Sequence, residues 1–452
     1  MRAAVAVALL VCAGLAVGVP LAQGAFYQEE AKDGRIYVFN NMAVYEEWKK
    51  SGEIGKSITR VGAGPNGETL VFDSEEAIHL YNFRHGLPGE VMIHPPEKKP
   101  VSSWSWKDGR TTWESDKASI NLANRIQFRY THDQPDGDDS IGSFRIRRAK
   151  TKFDGWIYTK DLTFELQMNW ADMVDFTGRN QRFLEDAALS YALTHGSRVV
   201  MIKGGQFKVP FARQEMTSSG SQQFVDRSIV SGFFSPIPRD QGIQLWGYTP
   251  AARFEYRFGM FNGNGINRAL NDNDKFRFNA RVAWMPFGEV RYSESDFETT
   301  DRPLLGIAAV YEANNFQTGD PNSIASDFET FGGDVTFKYK GISIVADYYR
   351  RLNRPEAVGE VDTEARGWDV QGGVFVYKRF VEVAARYAVI DPTDVPAAGD
   401  PLANDHQVER GVALNWFLNK HNLKIQTDYR QLESELTDST LDEYRIQTQW
   451  IF

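Results

Sequence analysis

The chain reads as an all-β protein, a 16-stranded antiparallel transmembrane β-barrel preceded by a small α/β module. Three observations predict this. From about residue 118 onward, runs of roughly 9 to 13 residues alternate apolar with polar, the period of a strand with one dry and one wet face. The connections alternate between tight turns and longer loops, as they do in outer-membrane barrels. Mean hydropathy is only −0.43, and residues 3–22 alone have the length of a membrane helix, so a helical membrane protein is excluded. A lipid-facing strand face gives the 13% of aromatic residues somewhere to go, and the apolar fraction of 42% is too high for disorder.

Residues 1–24 read as a cleaved export signal: Arg2, an apolar stretch, then the small residues Ala22 and Gly24. Cys12, the one cysteine, falls inside it, so the exported chain has no disulfide. Residues 25–100 read as a small α/β periplasmic module with a weak βα repeat, in which 36–52 resembles 69–86. Asn40 or Asn41 and Asp73 or Ser74 suit helix N-caps, and Gly52 and Gly86 suit helix C-termini. Between the two units, Gly62 to Gly67 matches G-x-G-x-x-G, but Pro65 and an apparent strand after it make this a plain turn. Residues 101–117 read as a linker, and 118–452 as the barrel.

The predicted strands are 120–131, 142–158, 161–171, 184–194, 197–209, 239–248, 251–262, 275–287, 303–313, 328–340, 342–351, 366–378, 379–390, 407–418, 421–434 and 441–452. Tight turns fall at Lys160, His195-Gly196, Thr249-Pro250, Lys340-Gly341, Lys378-Arg379 and Asn419-Lys420. Residues 288–302 are the misfit, a long connection where a short turn is expected. The last run has apolar or aromatic residues at every second position from Tyr444 to Phe452, resembling the recognition strand of bacterial outer-membrane proteins. Sixteen strands enclose an aqueous channel.

Charge suggests what passes. Thirteen acids lie in three long loops: Asp133, Asp136, Asp138 and Asp139; Asp391, Asp394, Asp400 and Asp405; and Glu433, Glu435, Asp438, Asp442 and Glu443. They exceed the −10 left when the signal with Arg2 is removed from the chain's −9. By strand parity the lumen face carries eighteen Lys and Arg, among them Arg125, Arg129, Arg145, Arg147, Arg148, Lys150, Lys152, Lys208, Arg277 and Arg281. Eight acids stand against them, Asp154, Glu165, Asp186, Glu255, Asp347, Asp369, Glu382 and Asp428, for a net +10. RIRRAKTK requires a bulge near Arg147 and Arg148 to keep its basic residues on one face. Fixed positive charge in a narrow channel concentrates anions, and pairing with the acids would instead stiffen the wall.

Loop 210–238 is the longest, and Phe224, Phe233 and Phe234 need burial, which places it inside the lumen as a constriction. Arg213 and Arg227 then bring planar forked donors suited to phosphate or carboxylate oxygens, with Ser218, Ser219 and Ser221 as neutral donors. The segments GSFRIRRAKTKFDGWIY, LEDAALSYAL, GGQFKVPFARQEMTSSGSQQFVDRS, RDQGIQLWG and GMFNGNG resemble, in that order, the motifs of the phosphate-selective porin O and P family. The resemblance covers roughly 142–452. It implies a trimeric 16-stranded barrel, a constricting third loop and basic ladders that conduct anions, phosphate or polyphosphate being the candidates. The basic residues of RIRRAKTK, with Lys208, Arg213 and Arg227, are the anion-binding residues it implies.

No enzyme, cofactor or nucleic-acid partner is expected. The seven His residues have no metal-ligand spacing and no G-x-S-x-G elbow occurs. Asp133 to Asp139 lacks the spacing of a calcium loop. The expected protein is therefore a bacterial outer-membrane porin embedded in lipid. A general non-selective porin, a structural anchor and an outer-membrane hydrolase are the alternatives.

Overall fold

The computed structural model describes residues 26–88, 102–172, 183–268, 270–271, 273–316, 326–356, 362–392 and 405–452. The expected export signal, and Asp394 and Asp400 of the acidic loops, lie outside the described residues. The chain divides into two compact units, residues 1–101 and 102–452.

In the first unit β1 (Gln28–Lys32), β2 (Arg35–Phe39), β3 (Ile58–Arg60) and β4 (Thr69–Phe72) form a sheet of order β1-β2-β4-β3, with β2 and β4 parallel. Each parallel strand leads into a helix, α1 (Met42–Ser51) or α2 (Glu75–Arg84). Asn41 caps α1 by accepting from the Ala43 N–H, and Ser74 caps α2 by accepting from Ala77. Gly52, at φ 77°, ends α1 by donating to the Trp48 carbonyl, a left-handed conformation that glycine adopts without strain. Asp73 instead accepts from the backbone N–H groups of Asn40 and Asn41, which ties the two βα units together. Gly62 to Gly67 lies between antiparallel β3 and β4.

The second unit opens with a hairpin, β5 (Ser103–Lys107) and β6 (Arg110–Glu114), within the stretch expected as linker. The barrel follows. Its strands are β7 (Ala118–Pro135), β8 (Ile141–Ile157), β9 (Thr159–Asn169), β10 (Leu184–Ala192), β11 (Met201–Lys208), β12 (Arg239–Tyr248), β13 (Phe254–Phe261) and β14 (Arg277–Trp284). The second half comprises β15 (Leu304–Phe316), β16 (Ser326–Tyr339), β17 (Ile342–Pro355), β18 (Thr363–Tyr377), β19 (Val381–Pro392), β20 (Gln407–His421), β21 (Leu423–Ser434) and β22 (Ser439–Ile451). Each pairs antiparallel with the next, and β22 closes on β7 from Leu441 opposite Pro135 to Ile451 opposite Arg125. That is a closed barrel of sixteen strands.

Its burial is inside out. Phe278, Val282, Trp284, Ile446 and Trp450 are exposed, whereas Arg129, Arg277, Arg281 and Arg445 are among the most buried side chains of the chain. This inversion fits a wall with lipid outside and polar groups within. At Lys340 and Gly341 φ is 49° and 84°, the positive pair that a two-residue hairpin turn requires. In β8 the register slips between Gln127 and Phe128, leaving Arg147 as the extra residue, so Arg145, Arg147 and Arg148 can all turn to one face.

Residues 285–303 are a long segment on the turn side, and they fold into the barrel. Glu294, Ser295 and Asp296 are buried there. Tyr292 donates to Glu255 at 2.8 Å, Lys338 donates to Ser293 at 2.7 Å, and the Phe297 ring packs on Phe375, Phe417 and His421. His421, which the sequence places at the start of the strand 421–434, is thus an inward side chain at the end of β20.

Candidate functional site

Loop 210–238 carries two short helices, α3 (Arg213–Met216) and α4 (Ile229–Phe234), the latter capped by Ser228 accepting from the Ser231 N–H. It lies against the inner face of β14 to β22. Phe211 and Phe234 pack on Tyr349 at 5.3 and 5.5 Å, in a dry cluster with Phe207, Val230, Phe261 and Val310. Phe224 packs between Ala384 and Ala413 with the Arg386 guanidinium 4.1 Å above its ring. Two glycines make room: a Cβ on Gly367 would stand 2.4 Å from the Phe234 ring, and one on Gly373 2.2 Å from the Gln223 amide.

Polar contacts complete the seat. Gln214 and Ser228 bond Asp369, the Val225 N–H donates to Asp428, the Ile229 N–H to Glu409, and Lys424 donates to the Gln222 carbonyl. Asp226 accepts from Arg129 at 2.6 Å, with Arg147, Arg148 and Arg445 within 3.7 Å. Burial pushes the Asp226 carboxyl up, but the Arg129 guanidinium, aided by Arg147 and Arg148, holds it well below the usual carboxylate range. From the opposite side the Glu294 N–H donates to the Ser221 carbonyl, so segment 285–303 meets the loop inside the barrel.

What the loop leaves open is a cavity of 1610 Å3, lined mainly from β7 to β13. Among the described residues its wall carries thirteen Lys and Arg against six Asp and Glu, an excess of seven positive charges. Of the residues proposed from sequence, Arg147, Arg148, Lys150, Lys152, Lys208 and Arg227 come together here. Lys150 is paired with Glu185 at 2.5 Å, and Arg227 with Glu215 at 3.2 Å. Lys152 is held loosely, 3.6 Å from Glu165. Lys208 donates only to the Met216 and Thr217 carbonyls, and Arg125 to the Ser218 hydroxyl. Among the described residues neither has a carboxylate within ion-pair distance.

The other proposed residues sit elsewhere. Arg145 lies opposite Arg129 at the exposed loop end of β8. Arg213 is buried, donating to the Arg291 carbonyl at 2.9 Å with its guanidinium 4.7 Å from the Tyr292 ring. Arg277 pairs with Glu312 at 2.6 Å and Arg281 with Asp334 at 2.5 Å, and each also donates to a backbone carbonyl of the loop. These three therefore do not line the cavity but fasten the segments folded into it. Glu312, Asp334, Asp240 and Glu409, absent from the lumen count of eight acids, are buried partners of Arg277, Arg281 and Arg386. Two acids assigned to the rim, Glu433 and Glu443, pair with Arg410 and Arg430.

Sequence parity also passed over Lys107, Arg110, Lys203 and Arg239. Lys203 and Lys208 have opposite parity yet both line the cavity, and between them Gly205 stands at φ 128°, where an added Cβ would meet the Ala187 carbonyl at 2.2 Å. A bulge in β10 leaves Glu185 as the extra residue, and Glu185 and Asp186 both bond Arg239. These irregularities follow glycine and bulge positions, which is the signal a sequence reading could use.

Among solved structures, the anion-selective porin from Comamonas acidovorans matches with a TM-score of 0.53 at 11% identity, over 74% of this chain and all of that one. The trimer form of OmpT from Vibrio cholerae matches at 0.51 and 8% identity, over 75% of this chain and 100% of that one. The outer membrane channel DcaP of Acinetobacter baumannii matches at 0.51 and 10% identity, over 74% and 98%. These likenesses show the fold. An uncharacterized protein of Aquifex aeolicus (strain VF5) is 22% identical over 306 residues, 60% of this chain and 72% of that protein. With a closed sixteen-stranded wall, charge buried inside it, and a match to phosphate-selective porin O and P over residues 120–452, the chain belongs to that family and is an outer-membrane porin.

Proposed function

We propose that this porin passes small anions, with phosphate or polyphosphate as candidates, through a basic channel that loop 210–238 narrows. The observation that carries the reading is the excess of seven positive charges around the cavity, with Arg125 and Lys208 free of carboxylate partners among the described residues. Fixed charge in a low-dielectric passage raises the local concentration of counter-ions. Arg147, Arg148, Lys150, Lys152, Lys208 and Arg227 form the anion track, and the guanidinium forks suit phosphate oxygens. Arg145 extends the track to the loop-side mouth. Arg213, Arg277 and Arg281 set its width by holding the loop and segment 285–303. The solved OmpT trimer supports the same assembly for this chain.

Planar-bilayer recording of the purified protein tests the reading. Anion-selective current, reduced by added phosphate and arriving in steps that close by thirds, is the expected result. Equal passage of cations would make it a general porin, and single-level steps would argue against the trimer.

A further inference from the structure

We infer that the β5–β6 hairpin is the inner mouth of the channel, and that Lys107 and Arg110 select anions there. The inference rests on the anion reading above. The hairpin lies outside residues 120–452, the part matched to the family.

The barrel wall has a gap that the hairpin fills. β22 leaves the edge of β7 at Ile451 opposite Arg125, with Phe452 bonded to Asn124. β6 takes up the same edge at once, Thr111 opposite Leu122 through Glu114 opposite Ser119. The tip turns at Asp108 and Gly109, with φ of 51° and 74°, and a Cβ on Gly109 would stand 2.8 Å from the Ile451 carbonyl. The hairpin therefore extends the wall on the short-turn side, which faces the periplasm in outer-membrane barrels.

Its faces divide as the barrel's do. Thr112 donates to Asn121, whose amide donates to Asp154, which marks the inward face. Trp104 and Trp106, of opposite parity to Lys107, are 74% and 66% exposed. Such residues suit the interfacial zone of a bilayer. Lys107 and Arg110 are directly opposed across the two strands, and both line the cavity. Like charges placed opposite each other destabilise a hairpin. Among the described residues no carboxylate comes within ion-pair distance of either. Folding gains nothing from this pair, whereas an anion leaving the channel would meet it. The pair also continues the track: Lys152 lies opposite Ala123, one residue along β7 from Leu122, and Lys150 and Arg148 follow along β8.

The test is a double variant, Lys107→Gln with Arg110→Gln, in the full-length protein, recorded in planar bilayers under a potassium chloride gradient. The ratio of anion to cation permeability should lie about twofold below that of the wild type at low salt, more for anions entering from the short-turn side, and the difference should vanish near 1 M, where screening shortens to about 3 Å and the wild-type ratio itself falls. The charge-keeping swap, Lys107→Arg with Arg110→Lys, should retain the ratio. Each single Gln variant should show part of the loss, which keeps the test open if the double variant does not insert. An unchanged ratio in the Gln variants of an anion-selective channel overturns the inference alone. A wild-type channel without anion preference overturns it together with the reading it rests on.

Discussion

Asp226 is one carboxylate among four guanidinium groups, and it sits on the loop while they sit on the wall. Removing its charge leaves Arg129, Arg148 and Arg445 facing one another with less compensation. Breaking such a buried pair from one side costs roughly 3 kcal/mol, so Asp226→Asn should loosen the loop, giving larger and noisier single-channel currents with stronger anion preference. Quiet, wild-type currents would show that the apolar seat suffices. The lowered pKa has a definite sign. Its contribution to docking is complete above the ordinary aspartate value of about 3.9 and is lost only as pH falls through the lowered folded value. Currents at pH 5 should therefore match those at pH 7, and loosening in that interval would count against the assignment. At this scale the sequence is only half legible. Strand parity says which face Arg277 and Arg281 occupy, but not that Glu312 and Asp334 neutralise them. In β15 the inward residues Ala308 and Val310 are as apolar as the outward Ile307, because the lumen beneath the loop is dry, so Glu312 has no wet face to mark it.

The elements are more legible, for a physical reason. A strand between lipid and water must alternate, so most of the sixteen can be read from their period, whereas β15, with its dry inner face, is read as an apolar run between loops. The bulge at Arg147 is readable too, since RIRRAKTK cannot keep its basic residues on one face otherwise. Burial of loop 210–238 follows from Phe224, Phe233 and Phe234. The hairpin is not readable: SWSWK and RTTWE are five residues each, too short for periodicity, and their surroundings have linker composition. The sockets in the wall also escape pattern reading, because a glycine there differs from its neighbours only once the loop is in place. Gly367→Val should force the Phe234 ring out of its seat. Overpacking of this kind costs roughly 1–3 kcal/mol, and the expected readout is a rise in single-channel conductance with increased noise. Gly204→Ala, where the nearest atom to an added Cβ is 3.9 Å away, should leave the current unchanged. Equal effects would detach the loop from conductance.

For the molecule as a whole, the net charge of −9 is an average over regions of opposite sign. The cavity is positive, while Asp136, Asp138 and Asp139 on the β7–β8 loop are exposed acids. Every described residue lining the cavity belongs to 102–452. Deleting residues 26–101 should therefore leave conductance and selectivity in planar bilayers unaltered. A changed reversal potential would give the α/β module a part in permeation.

The seam between β22 and β7 also governs how the barrel comes into being. It joins positions such as Gln127 and Gln449, 322 residues apart. Loop-closure entropy must be met before so distant a pairing returns anything, which makes closure a late and slow event in assembly. Until then the growing sheet has two open edges, each able to recruit a foreign strand. The β5–β6 hairpin is local, pairs with the start of β7, and stops where β22 arrives. It can form early, shield part of the waiting edge, and set the register at which the last strand docks.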